Sequence, residues 1–488
     1  MTSQFDADAD ADADADTDAP ALDTDAVDSA FRTICDAYEY QFEAISELIL
    51  ELIPRVEEMD AERSIAKVLN PVMKKFTRRE RDALRVFVDD HALRESSMKT
   101  FMVELLDNHW GDAWGRSVAM AMYRDFDRAP KIPILAGSLL ASVVSAFESC
   151  LASVTSEYYR ASPNALEAAS GDSQKEFSLQ DLKAMSTLDD AIEIAIDSRV
   201  ETMMFGSLAS WRKFYKEKLK IDFAELADDW AGTSEIFERR HVIVHNGGRA
   251  SSRYVRSVGT SNAAKNDPLE VDAEYLRAAL DQLLTLGFLV AIATWKKFSD
   301  SEDAPSDRLQ SISYLLLERG RYDAVKVLCN YGLEHPTNAE DRDTYRVNFW
   351  LAEKNLGNLE KVRAAITEWD VSASRENFQL AKACLLDDLD HGFLLLRSLI
   401  AQGSVAAEDL LGWPLLAGLR EDERFAELQD LVSETLTLST EIQYMVQGRK
   451  VFHRESCSYL SDHAVAVSPS HAQAVGARAC KACVPTAA

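Results

Sequence analysis

Between Glu238 and Gly248 the chain reads ERRHVIVHNGG. This run prescribes one helix and its end. Thr233 or Ser234 is the expected N-cap. Gly247-Gly248 is the expected stop, because glycine accepts the left-handed backbone that closes a helix. A helix between these signals ends at His245. Five positions at about 100° each set Arg240 and His245 roughly 140° apart around it. One such helix does not converge the two side chains on a small target, and a second copy of the motif would relieve the difficulty.

The residue types suit phosphodiester chemistry. A guanidinium is a fixed positive fork for phosphate oxygens. An imidazole exchanges protons near neutral pH, and a histidine in a last helical turn feels the negative helix end. Two other uses of the run stay open. His241 and His245 are four apart and share a face, as two metal ligands would. Ile236, Phe237, Val242, Ile243 and Val244 are core-like, so the histidines also fit a packing role.

The surrounding sequence is poor in breakers. Only 19 glycines and 12 prolines punctuate 488 residues, which favours helices over a turn-rich β protein. The length leads us to expect several domains. Formal net charge is −28, and ten of the negative charges are aspartates between Asp6 and Asp28. This balance argues against a general nucleic-acid coat. It leaves room for a small basic cleft, since Arg239, Arg240, Arg249, Arg253 and Arg256 cluster around the motif. No basic region followed by an apolar stretch opens the chain, and no run is read as long enough to span a membrane. The seven cysteines are expected to be reduced, in a cytoplasm.

The motif and its context resemble the HEPN-domain proteins, whose signature is Arg-x4–6-His with a polar residue after the arginine, here His241. The resemblance extends to Ser138–Tyr159, with AFE at Ala146 to Glu148, to FSLQDL at Phe177 to Leu182, and to LASW at Leu208 to Trp211. It covers about Pro133 to Phe298. It implies an all-helical, dimeric domain and, for many members, metal-independent RNA cleavage at a cleft between two motifs. By resemblance, Arg240 would hold the scissile phosphate, His245 would handle protons and His241 would orient them. The family recurs in toxin–antitoxin and antiphage systems, and some members are non-catalytic scaffolds.

The flanks read as follows. Residues 1–28 alternate Asp and Ala with nothing large to bury, as a disordered acidic tail does. Residues 29–130 are expected to form a separate helical domain, with Phe42, Ile45, Leu48, Ile49 and Leu52 on one face. Pro130 and Pro133 mark a linker, and Ser299–Asp307 a second. In 307–436, Gly320 and Gly357 are 37 residues apart, as are Val325 and Val362. This spacing is similar to tetratricopeptide-like repeats, with further pairs near Phe378–Ala401 and Glu408–Ser433. An unrelated helical bundle fits the same pattern. Either would bind a protein partner.

The last stretch, 442–488, changes character. His453-x3-Cys457 and Cys480-x2-Cys483 are two tight pairs separated by 22 residues, a spacing suited to tetrahedral, structural zinc. His463 and His471 are spare candidates. The pattern resembles a small module appended to some nucleases and DNA-repair proteins. The chain is therefore expected to be a mainly α, multidomain protein with a HEPN-like bundle, TPR-like helical pairs and a small zinc module. RNA is the expected substrate, with no cofactor needed for catalysis.

Overall fold

The computed structural model describes residues 24–61, 77–78, 107, 131–167, 187–259, 263–405 and 407–428, with the short segments 443–446, 451–454, 464–467 and 478–480. Most of the acidic tail, most of 62–130, the FSLQDL segment, Cys457, Cys483, His463 and His471 lie outside these residues. Among the described residues the chain is mainly helical. It divides into two units, residues 1–309 and 310–488.

The first unit contains α1 (Thr24–Ala61), α2 (Ile132–Ala161), α3 (Leu188–Met204), α4 (Leu208–Leu219), α5 (Trp230–Asn246), α6 (Ser252–Val258) and α7 (Ala273–Trp295). Helices α1, α2 and α7 pack against one another. Phe31, Cys35, Tyr38, Phe42, Ile45, Ile49 and Ile53 recur at helical spacing on α1 and are all buried, whereas Leu48 is exposed. Such a stripe must be covered, and the cover is the central segment. Tyr38 lies against Gly287 of α7, where a Cβ would sit 2.2 Å from the phenol oxygen. Its hydroxyl donates to the Leu283 carbonyl at 2.6 Å. Phe31 stacks on Trp295 at 5.9 Å, and the Trp295 indole N–H donates to Asp28 at 2.6 Å. The start of the expected separate domain thus belongs to the same unit as the motif.

Two boundaries also move. Pro133 sits in the first turn of α2, where its missing N–H and fixed φ are harmless, so the first linker does not reach it. The second linker is shortened by a helix that starts at Asp303. Two helices, α2 and α7, are long and apolar enough by length and composition to cross a membrane, although no such run is read from the sequence. Their apolar side chains fill the core: Leu283 through Trp295 of α7 are buried except Ala293.

The second unit holds helix–turn–helix segments: α8 (Asp303–Glu318), which begins before the division, and α9 (Tyr322–Glu334); α10 (Ala339–Asn355) and α11 (Leu359–Glu368); α12 (Glu376–Leu385) and α13 (Leu389–Ala401). Gly320 and Gly357 take φ values of 68° and 76° at the first two turns, and Asp387 fills the third at 60°. A non-glycine residue there pays a steric penalty that Asp tolerates better than most. Val325 is fully buried and Val362 half-buried. The expected fourth pair is broken into Ala407–Gly412, a 3-10 turn at Pro414–Leu416 and Ala417–Arg420. Pro414 cannot donate the hydrogen bond that a continuous helix needs.

The C-terminal segment forms strands: β1 (Gln443–Val446), β2 (Val451–Arg454), β3 (Ala464–Val467) and β4 (Arg478–Ala479), in the order β3-β1-β2-β4. β1 pairs antiparallel with β2 and β3, and β4 pairs parallel with β2.

Candidate functional site

Helix α5 carries the motif, and its start differs from expectation. Asp229 is the N-cap, accepting from the Gly232 N–H at 2.9 Å. Thr233 and Ser234 lie one turn inside and donate back to the Asp229 and Trp230 carbonyls, each at 2.8 Å. A hydroxyl inside a helix takes this local partner as readily as it caps an end. The stop is as expected: Gly247 and Gly248 have φ of 60° and 73°. The helix runs one residue past His245, to Asn246. The Asn246 amide donates to the Arg249 carbonyl. The chain is then tied back by Leu269 N–H to Gly248 O at 2.8 Å and by a bridge between Arg249 and Pro268.

Three faces of α5 do different things. One face meets α2. Phe237 packs edge-on against Phe147 at 5.8 Å, and Ile243 approaches Gly137, where a Cβ would lie 2.8 Å from it. Between them, Arg240 Nη2 donates to both Glu148 oxygens at 3.3 and 3.2 Å. Both side chains keep about a quarter of their surface exposed, 28% and 27%. Burial pushes the Glu148 carboxyl up, and the Arg240 charge opposes that.

A second face meets α6 and the start of α7. Glu235 accepts from Arg239 Nε at 2.6 Å, from the Tyr275 hydroxyl at 2.7 Å and from the Tyr254 hydroxyl. The Arg239 guanidinium lies 4.2 Å over the Tyr275 ring. Val242 joins Ala250 and Tyr254 in a small core. This network rigidifies the helix that presents the motif, because a half-buried carboxylate with three hydrogen-bond donors holds them in one geometry.

The third face is open. His245 is exposed and His241 half-buried, with ring centroids 4.8 Å apart. Burial lowers the His241 pKa first, and the positive charges of Arg253, His245 and Arg240 lower it further, against Glu238. Arg253 itself pairs with Glu238 at 3.1 Å. Of the expected basic cluster, Arg239 and Arg240 are engaged as above, and Arg249 donates to the Asn266 carbonyl at 3.0 Å. Arg256 is exposed. The structure therefore brings His241 beside His245 but turns Arg240 toward α2, as the 140° separation implies.

Glu148 and Glu235 are polar partners of the motif that sequence reasoning gave no role. Glu148 stands 92 residues from Arg240, and nothing local in AFE announces the pairing. Glu235 lies one turn before Arg239, a spacing that suits an ion pair, yet its two tyrosines come from other elements.

In the C-terminal strands, Val451 pairs with Arg478 and Phe452 with Ala479. Continuing that register sets Cys480 beside His453, and the Cys480 N–H donates to Phe452 O at 2.9 Å. Neighbouring strands are ~4.8 Å apart and register partners face the same side, a spacing two ligands of one metal can share. Cys480 is buried. Among the described residues no group of three or more His, Cys, Asp or Glu is placed to hold a metal, with Cys457 and Cys483 outside them. No protein-family model, curated protein or solved structure matches the chain.

Proposed function

We propose that the protein is a metal-independent endoribonuclease of the HEPN type, acting as a homodimer. The observation that carries this reading is the open face of α5. It offers an exposed imidazole, His245, beside a second one, His241, whose surroundings favour its neutral form. An arginine lies on the same turns. In this reading the ribose 2′-hydroxyl attacks the adjacent phosphate. His245 assists the proton transfer, His241 orients it, and Arg240 stabilises the charge that develops on the phosphoryl oxygens. Bond making and breaking leave a 2′,3′-cyclic phosphate and a 5′-hydroxyl. Because Arg240 and His245 diverge on one helix, the working cleft would combine motifs of two copies. A role in toxin–antitoxin or antiphage defence fits this chemistry.

His453, Cys457, Cys480 and Cys483 would hold one structural zinc, supported by the register that sets His453 beside Cys480. Four protein ligands leave no open position for catalysis. The helix–turn–helix segments would offer a TPR-like surface to a protein partner.

The test is cleavage of single-stranded RNA by purified protein in EDTA, with end analysis of the products. Cyclic phosphate ends are expected. Absence of cleavage together with retained dimerisation would favour the second reading, a non-catalytic HEPN scaffold with a nucleic-acid-binding zinc module. The Glu148 ion pair, which neutralises Arg240, is the observation on that side.

A further inference from the structure

We propose that Glu148 is a latch on Arg240, which an incoming RNA phosphate must displace. The inference rests on the ribonuclease reading above and adds the residue that sets how readily the site accepts its substrate.

The geometry is specific. A guanidinium grips a phosphate in two-nitrogen fashion along one of two edges, Nε with Nη2 or Nη1 with Nη2. Nη2 belongs to both edges. Glu148 places both carboxylate oxygens on that shared nitrogen, at 3.2 and 3.3 Å. Among the described residues Arg240 makes no other hydrogen bond or ion pair. The carboxylate thus blocks both forks while leaving Nη1 and Nε for a first, one-nitrogen contact.

The pair is also built to yield. It uses one nitrogen at distances near the long end of the hydrogen-bond range, rather than a parallel fork. Both partners are about a quarter exposed, so water can take over either charge. Burial already disfavours the Glu148 carboxylate. A carboxylate left in place would repel the phosphate it faces, so engagement of Arg240 requires Glu148 to swing away or take up a proton. The backbone around it need not move, because Phe147–Phe237 and Gly137–Ile243 hold α2 against α5 independently.

The measurement is binding of a 2′-O-methyl oligoribonucleotide, which carries the phosphates but has no 2′-hydroxyl to attack with. Glu148→Gln keeps the shape and removes the charge. It is expected to tighten binding roughly two- to fivefold, the size of a partly exposed ion pair. Glu148→Asp withdraws the charge by one methylene and is expected to give a smaller gain, and it serves if the glutamine variant does not fold. Arg240→Ala added to Glu148→Gln should erase the gain. Weaker or unchanged binding by Glu148→Gln, with the wild type binding, overturns the latch and makes Glu148 an orienting or purely structural residue. A wild type that binds no oligonucleotide and cuts no RNA overturns the ribonuclease reading, and the latch with it.

Discussion

The rings of His241 and His245 lie 4.8 Å apart on successive turns of α5, one half-buried and one exposed. On the proposed ribonuclease reading this asymmetry would divide the labour: the exposed ring would reach a substrate proton, and the half-buried one would hold it in place. In EDTA, His245→Ala and Arg240→Ala are each expected to lower RNA cleavage by roughly a hundredfold or more. His241→Ala should cost less. Single-turnover rates on a short model RNA give the measure. An active enzyme indifferent to both of the first two changes would sink the assignment, and strict metal dependence would turn it toward a His241–His245 metal site.

Assembly is the second expectation. Val244 is 53% exposed, one turn after Arg240 and next to His245 in the chain, where a dimeric cleft would cover it. Light scattering at micromolar concentration should give a homodimer. Val244→Glu should shift it toward monomer and reduce cleavage together, because a buried unpaired charge is costly. A monomeric wild type with full activity contradicts the composite cleft.

The C-terminal strands make the third. Cys480→Ser should release one zinc per chain and expose the segment from Gln443 onward to protease, since ligand binding supplies folding energy to so small a unit. Cleavage of a short model RNA should persist. Elemental analysis that finds no zinc in reduced, freshly purified protein removes the metal, and loss of the chemical step shows that its role is not structural.

Asp222 yields a pH prediction for the approach to the motif helix. Arg212 at 2.5 Å, then Lys216 at 2.6 Å and the Ala224 N–H at 3.1 Å, hold its carboxyl well below the usual carboxylate range, against burial. A depressed folded pKa contributes stability that is complete above the unfolded value, about 3.9, and is lost as pH falls below it. Asp222→Asn should therefore destabilise the first unit by about 2 kcal/mol at neutral pH, the scale of a charged hydrogen bond. Denaturant titrations should show the gap between the two proteins closing as pH drops below about 4. A gap constant with pH would mean that the charge contributes nothing.

Local signals were legible where one residue type has few alternatives. Gly247-Gly248 and the turn glycines Gly320 and Gly357 announce left-handed backbone, and the α1 stripe announces a buried face. Chemistry with several local solutions was not. Thr233 and Ser234 read as caps but bond inside the helix, and Asp229 took the role. Long-range pairings were silent, because Glu148 finds Arg240 only through the α2–α5 packing. The short strands β2, which contains His453, and β4, which precedes Cys480, carry too few residues for a clear alternation, so only the spacing of the His and Cys residues was readable. That α1 belongs with the central bundle could not be read either, since a stripe says that it needs a cover and not which one.

Helix α7 has a consequence for how the chain is made. Its apolar run is long and apolar enough, by length and composition, to cross a membrane, yet in this fold it lies against α1 and α2. Both of those helices precede it in the sequence. On the ribosome the cover is therefore synthesised before the segment that needs it, and α7 can dock as it emerges. Gly287 opposite Tyr38 is the notch for that docking. A bulky residue there would leave a nascent chain displaying an uncovered greasy helix, and the first symptom would be aggregation or misdirection to a membrane during synthesis rather than a defect in the finished protein.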